Sequence, residues 1–330
     1  MTLMKNNKGT QNKIIFSAKL ILGFILLFAL LIWQENSGKL IVLFANFKFH
    51  YLLALFLFGF VMNLVSCLKW NLFLKDRGIT LAISRLLGLY FIGKFFNNFM
   101  PSMIGGDLTR TYLLGRQINS QSKSLASVFL ERFTGLVALI LLSITFTLIN
   151  PHLIKEPIIG ISIASITIGS MLLLFLLLNP QLLNSLSLRF SDKSFIYRTL
   201  SKLIHVHDDI LYFKDKYNVL FLAMAYSLIF HLLTSVSVYL CCLCINFHPS
   251  FLDIAVITPI ILLLTTIPVS PNNIGWWEWS FSVLLINAGA GAAQGLAVAL
   301  TLRGMTFVFS ILGGILFLFE KVEASDSKAL

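Results

Sequence analysis

Seven ionisable side chains lie within or at the edge of strongly apolar sequence: Lys94, Asp107, Arg110, Glu131, Arg132, Glu278 and Arg303. A charge that faces hydrocarbon costs roughly 3 kcal/mol or more, so such residues turn inward, where they pair or line a path for a polar substrate. Pairing alone would join Glu131 to Arg132 or Arg303, and Asp107 to Lys94. Four of the seven are cations and three are acids, so complete pairing leaves a cation over. Four amides, Asn97, Asn98, Asn272 and Asn273, accompany the charges as donors or helix caps. The set suits an anion held by cations and N–H groups, and phosphate is the obvious anion of a membrane. No catalytic residue, metal ligand set or cofactor is expected from these residues.

What must position them is a phrase that occurs twice. Asn97 to Arg110 reads NNFMPSMIGGDLTR and Pro268 to Glu278 reads PVSPNNIGWWE. Aligned on Pro101 and Pro271, both give P-x-x-I-G, ending at Gly105 (followed by Gly106) and at Gly275, with Asp107 and Glu278 next along the chain. Pro and Gly break helices. Freed backbone N–H and C=O groups at membrane depth are tolerated only inside protein or beside a water-filled cavity. Broken segments in corresponding positions of two halves are a pointer to a binding site. The helix starts after Pro101 and Pro271 add free N–H groups and partial positive charge at the same depth. Lys94, Asn97 and Asn98 stand at i, i+3 and i+4 and should share a helix face, as should Asp107 and Arg110. Trp276, Trp277 and Trp279 around Glu278 fit an interfacial aromatic belt, with stacking on a headgroup the lesser alternative.

Composition fixes the class. Of the 330 residues 57% are apolar and only 12% charged, with mean hydropathy +0.87 and 30 Phe. Repeated apolar runs of about 20 residues have bilayer-spanning length. The expected fold is an all-α polytopic membrane domain over 1–330. Its continuous spans fall at about 14–33, 51–68, 125–149, 157–179, 218–242 and 294–319. Two interrupted stretches, 82–115 and 252–291, are expected as re-entrant helical hairpins in an inverted repeat. Segment 180–217, with Arg189, Lys193, Arg198 and Lys202, reads as an amphipathic connector on the inner leaflet. Its Asp208-Asp209 pair beside His205 and His207 is expected to be a solvated face rather than a metal or sugar-nucleotide site.

Charge placement sets an orientation. With the amino terminus inside and each hairpin returning to its own side, most of the 25 Lys and Arg fall on the cytoplasmic side, Lys69 among them. Both termini are then cytoplasmic, and 14–33 is a retained signal anchor. The net charge of +11 is explained by an anionic lipid surface and calls for no nucleic acid. Cys67, Cys241, Cys242 and Cys244 lie in apolar runs and are expected to be packing residues.

With these motifs in hand, the chain resembles the membrane domain of the lysylphosphatidylglycerol synthase/flippase family, the flippase-like integral membrane proteins. The matching phrases are NNFMPSMIGGDLTR at 97–110, LERFTGL at 130–136, PNNIGWWE at 271–278, and Arg303 followed by Gly313-Gly314. The family pattern at the second turn runs G-x-R-E, so Trp277 stands where an Arg is expected. The resemblance implies re-entrant helices and the binding or movement of a lipid with a polar head in a bacterial inner membrane. It also implies that the soluble aminoacyl-transferase domain of the full synthases is absent. Translocation of an anionic phospholipid or a polyprenyl-phosphate-linked lipid is the leading expectation and enzyme activity the lesser one. A membrane glycosyl- or headgroup transferase stays open, as does a non-transporting partner in envelope synthesis. Anionic membrane lipids are the expected partners, with homodimerisation or an envelope-biosynthesis partner left open.

Overall fold

A computed structural model describes residue 25 and residues 37–99, 105–149, 157–178, 207–267 and 269–320. Among them there are ten α-helices and no strand. They are α1 Ser37–Ala45, α2 His50–Asp76, α3 Ile83–Phe99, α4 Gly105–Gln117, α5 Gln121–Ile149, α6 Pro157–Leu178, α7 Tyr217–Cys244, α8 Phe251–Leu264, α9 Trp276–Leu284 and α10 Ala292–Leu318. Helices α2, α5, α7 and α10 are each long and apolar enough to cross a membrane. Their outward faces carry exposed large apolar side chains such as Phe221, Leu232, Leu148 and Ile311, as helices surrounded by lipid do. The chain is an integral membrane protein. The expected span at 14–33 and most of the 180–217 connector lie outside the described residues. Helix α1, which packs on α10, was not expected from the sequence.

The order of lengths repeats. Helices α2 to α5 run 27, 17, 13 and 29 residues, and α7 to α10 run 28, 14, 9 and 27. The packing repeats with it. Within each unit the four helices pack in sequence; α3 of the first lies on α10 of the second, and α8 of the second lies on α5 of the first. The two leading helices, α2 and α7, face one another and run antiparallel. The Lys48 N–H donates to Cys244 O at 2.8 Å beside the start of α2, while Lys69 Nζ donates to Ser227 Oγ at 3.2 Å toward its end. Two units of the same design, inverted relative to each other, follow from that geometry.

Close crossings rest on glycine. A Cβ at Gly106 would sit 1.8 Å from the Gly93 carbonyl oxygen, and one at Gly313 would sit 1.9 Å from that of Phe91. Gly93–Gly106 thus seats α4 on α3, and Gly313 seats α10 on α3, with van der Waals packing rather than hydrophobic transfer holding helices together in lipid. At the chain's second turn, Asn272, Asn273 and Gly275 have φ of 50°, 51° and 83°. Asn and Gly are the residues that enter the left-handed region at least cost, which is why the chain can reverse there between α8 and α9. The first turn, with Pro101 and Ile104, lies outside the described residues, as does Pro268.

The described end of the connector docks on the bundle. Asp209 takes Arg77 at 2.8 Å and accepts from Ser122 Oγ at 2.5 Å, and Phe213 is buried against Phe73. Asp209 is therefore an anchor, whereas Asp208 is solvated as expected.

Candidate functional site

Five charges of the first unit, Lys69, Asp107, Arg110, Glu131 and Arg132, form one network, buried except at Arg132. Arg110 on α4 donates from Nε to Asp107 Oδ1 at 3.0 Å and from Nη2 to Glu131 Oε2 at 2.5 Å. Its guanidinium lies 4.9 Å from the ring centres of both Trp70 and Tyr90. Glu131 also meets Lys69 Nζ at 3.6 Å, with side-chain exposures of only 3% and 6%. Arg132 reaches Asp107 through two N–H donors, at 3.0 and 2.9 Å, with half of its own side chain exposed.

Three expectations are corrected here. Glu131 pairs with neither Arg132 nor Arg303, because adjacent helical residues point about 100° apart, Glu131 into the bundle and Arg132 outward. Asp107 pairs with Arg110 and Arg132 rather than Lys94, which faces α10. Lys69 is not on the cytoplasmic surface: it is buried on α2, a fifth basic residue of the interior that sequence reading missed because it stands next to the polar end of an apolar run.

The second unit repeats the outer pair. Arg303 Nε donates to Glu278 Oε1 at 2.5 Å. Both carboxylate–arginine pairs, Asp107–Arg132 and Glu278–Arg303, are separated by 25 residues, and both join the short helix of a unit to its last long helix. Arg303 also donates to the carbonyl oxygens of Asn272 at 3.2 Å and Asn273 at 3.3 Å, and so braces the left-handed turn. Glu278 accepts from the Gly275 N–H at 2.7 Å, capping α9. In the first unit Asn97 Oδ1 performs the corresponding service, accepting from the Gly106 N–H at 2.8 Å.

Asn97 therefore turns away from Lys94 and Asn98, which do share a face. Asn98 Nδ2 donates to Ser310 Oγ and, at 3.4 Å, to Thr306 O. Asn272 Nδ2 donates to Asn98 Oδ1 at 3.3 Å, so the two repeated Asn-Asn doublets touch at the seam between the units. A cavity of about 450 Å³ opens on this seam. Its polar lining includes Lys94, Asn98, Asn272, Asn273, Arg303 and Thr306 together with Asn63, Thr234, Ser237, Thr265 and Thr266, and its apolar lining includes Leu55, Met62, Phe230, Val238, Phe281 and Phe309.

Lys94 Nζ has no carboxylate within 4.0 Å among the described residues. Its recorded neighbour is the Phe309 ring, 5.6 Å away. Of the sixteen residues expected at a site, Lys94, Asn98, Asn272, Asn273 and Arg303 line this cavity, with Pro271, Gly275 and Glu278 building the turn that forms its edge. Asp107, Arg110, Glu131 and Arg132 form the separate network, Asn97, Gly105 and Gly106 shape α4, and Pro101 lies outside the described residues. Trp277 lines the cavity and donates from Nε1 to Ala299 O at 3.4 Å. Trp276 is likewise turned inward, donating to Leu264 O at 3.0 Å and stacking on Trp279 at 4.9 Å. Cys67, Cys241, Cys242 and Cys244 are buried, free packing residues.

Comparison with known proteins finds relatives that cover most of the chain. A UPF0104 membrane protein of Pyrococcus horikoshii is 23% identical over 320 residues, covering 91% of this chain and 96% of its own. A UPF0104 membrane protein of Methanothermobacter thermautotrophicus is 22% identical over 289 residues, covering 81% and 82%. Both relatives are archaeal, so they do not point to a bacterial membrane. No solved structure matches the chain. The family model described as the lysylphosphatidylglycerol synthase TM region matches residues 14–314, and the chain belongs to that family.

Proposed function

We propose that this protein binds a membrane lipid by its polar head in the cavity between the two units and carries it across the bilayer, as a flippase-like translocator. The observation that carries the reading is Lys94. It is a cation with no carboxylate within 4.0 Å among the described residues, in a cavity lined mainly by apolar side chains with hydroxyls and amides among them. Bundle interiors do not keep a lone charge for stability, since an uncompensated charge is costly. A ligand whose head is polar and whose tail is apolar matches both kinds of lining.

The two hairpins, α3–α4 and α8–α9, are on this reading re-entrant and enter from opposite faces, with the amino and carboxyl termini on the cytoplasmic side. Inverted units of this kind give two related conformations, one open to each face, which is what transbilayer movement requires. The test is reconstitution of the full chain into liposomes holding a headgroup-labelled anionic phospholipid. Label in the inner leaflet should become accessible to an impermeant quencher faster than in protein-free liposomes. Equal rates with and without protein, in vesicles shown to contain folded protein, would refute translocation.

A further inference from the structure

We infer that the ligand of this cavity carries a single unshielded negative charge, in the manner of a phosphodiester, and no amine on its head. The inference rests on the lipid-site reading above and specifies its chemistry. Among the described residues the cavity is lined by two cations, Lys94 and Arg303, and by no Asp or Glu. Glu278, the acid beside it, is 1% exposed and already accepts from Arg303 Nε and the Gly275 N–H. A guanidinium has five N–H donors. Arg303 uses one on Glu278 and one each on the Asn272 and Asn273 carbonyls, which leaves two of the five for a ligand.

The offer to an anion is then a free ammonium on Lys94 and two guanidinium N–H groups on Arg303, the Thr306 hydroxyl at the rim already donating to helix carbonyls at 2.8 and 3.0 Å. Charge-assisted hydrogen bonds from such donors are among the strong ones. An ammonium headgroup would meet the opposite. The cavity holds no carboxylate to receive it, and the Phe309 face that could take a cation already lies 5.6 Å from Lys94 Nζ. Trp277 adds apolar surface and no charge. The cavity thus selects by charge, repelling an amine as well as attracting a phosphate.

The experiment is native mass spectrometry of the full-length protein in a neutral detergent, titrated with three lipids of the same acyl chains. They are phosphatidylglycerol (anionic), phosphatidylethanolamine (zwitterionic) and lysylphosphatidylglycerol (cationic). Glycerol 3-phosphate is added as a competitor to separate a lipid from a free phosphate. Phosphatidylglycerol should be retained about tenfold or more over the other two, and glycerol 3-phosphate, which lacks the chains, should not displace it. Lys94→Gln should abolish the preference and Lys94→Arg should keep it. Equal retention of all three lipids, preference for an amine-bearing one, or an unchanged preference in Lys94→Gln would overturn the inference while leaving a lipid site. Displacement by glycerol 3-phosphate would make the ligand a soluble phosphate. Retention of no lipid by the folded protein would instead sink the lipid site itself.

Discussion

Replacing Glu131 by Gln, an isosteric change, removes one negative charge from the most enclosed ionic cluster of the bundle. Lys69 loses its only recorded carboxylate and keeps Ser227 Oγ; Arg110 keeps Asp107 alone. With side chains 2–6% exposed, no water can take the place of the missing acid. Breaking a buried pair in this way costs about 3–5 kcal/mol, because the cost is that of the stranded cation rather than of the lost contact. At roughly 2–4 °C per kcal/mol, the scale of large domains, the midpoint of thermal unfolding should fall by roughly 6–20 °C. Lys94→Met is the opposite perturbation: it removes a cation that has no partner and fills the place with a flexible apolar chain. Its midpoint should stay within about 1 kcal/mol of the parent or rise.

The assay is unfolding of detergent-purified protein followed by size exclusion, with the double variant Glu131→Gln/Lys69→Met as the coupling control. That variant should recover at least half of the loss, since contacting sites are not additive. If Lys94→Met proved the more destabilising of the two, the division between a structural network and a functional cation would be refuted.

Three further outcomes can be checked. Gly313→Ala should cost about 1–3 kcal/mol or more, because its Cβ would meet Phe91 backbone, whereas Gly304→Ala, with nothing within 4 Å, should be neutral in the same unfolding assay. Arg303→Lys keeps the charge but loses the planar fork that reaches Glu278 and two carbonyls at once, so it should leave expression intact and abolish lipid movement in proteoliposomes; full activity would show that charge alone suffices. With the four native cysteines buried, a cysteine at Asn287 should react with an impermeant thiol reagent in intact cells and one at Ser120 only after permeabilisation, and the reverse pattern would exclude hairpins entering from opposite faces.

The second turn was legible because breaking a helix in apolar sequence takes residues as conspicuous as Pro271, Asn272 and Gly275. The four spans α2, α5, α7 and α10 were legible from their hydropathy. That Asp107 and Arg110 share a face followed from spacing on one helix, but not that they pair, since Lys94 stood as the expected partner of Asp107. The partner of Glu131 could not be read either, since Arg110 and Lys69 come to it from α4 and α2, and sequence distance says nothing about which faces meet. Lys69 itself was hidden by the assumption that a basic residue near a span's end lies in the headgroups. Asn97 and Asn98 look interchangeable in sequence, yet one caps α4 and the other faces the seam, a choice made by Gly93 and Gly106 drawing the two helices together.

The division of labour between the two units explains why the cavity is where it is. Counting from the paired carboxylates Asp107 and Glu278, the position of Arg110 is taken in the second unit by Phe281, and that of Glu131 by Leu302. The outer carboxylate–arginine pair is thus kept in both units, while the inner charges are present in only one. In the first unit Arg110, held between Trp70 and Tyr90, packs the interior with a network that would lose several kcal/mol if opened. In the second unit Phe281 and Leu302 impose no such penalty, and the space beside them is open. A duplicated fold can in this way hold one half rigid and leave the other able to admit an apolar chain. Lys94 completes the site from across the seam, since α3 of the first unit packs on α10 of the second. On the lipid-site reading the ligand's charge is met from both units, by Lys94 of the first and Arg303 of the second, so any relative motion of the two units would act on the bound molecule directly.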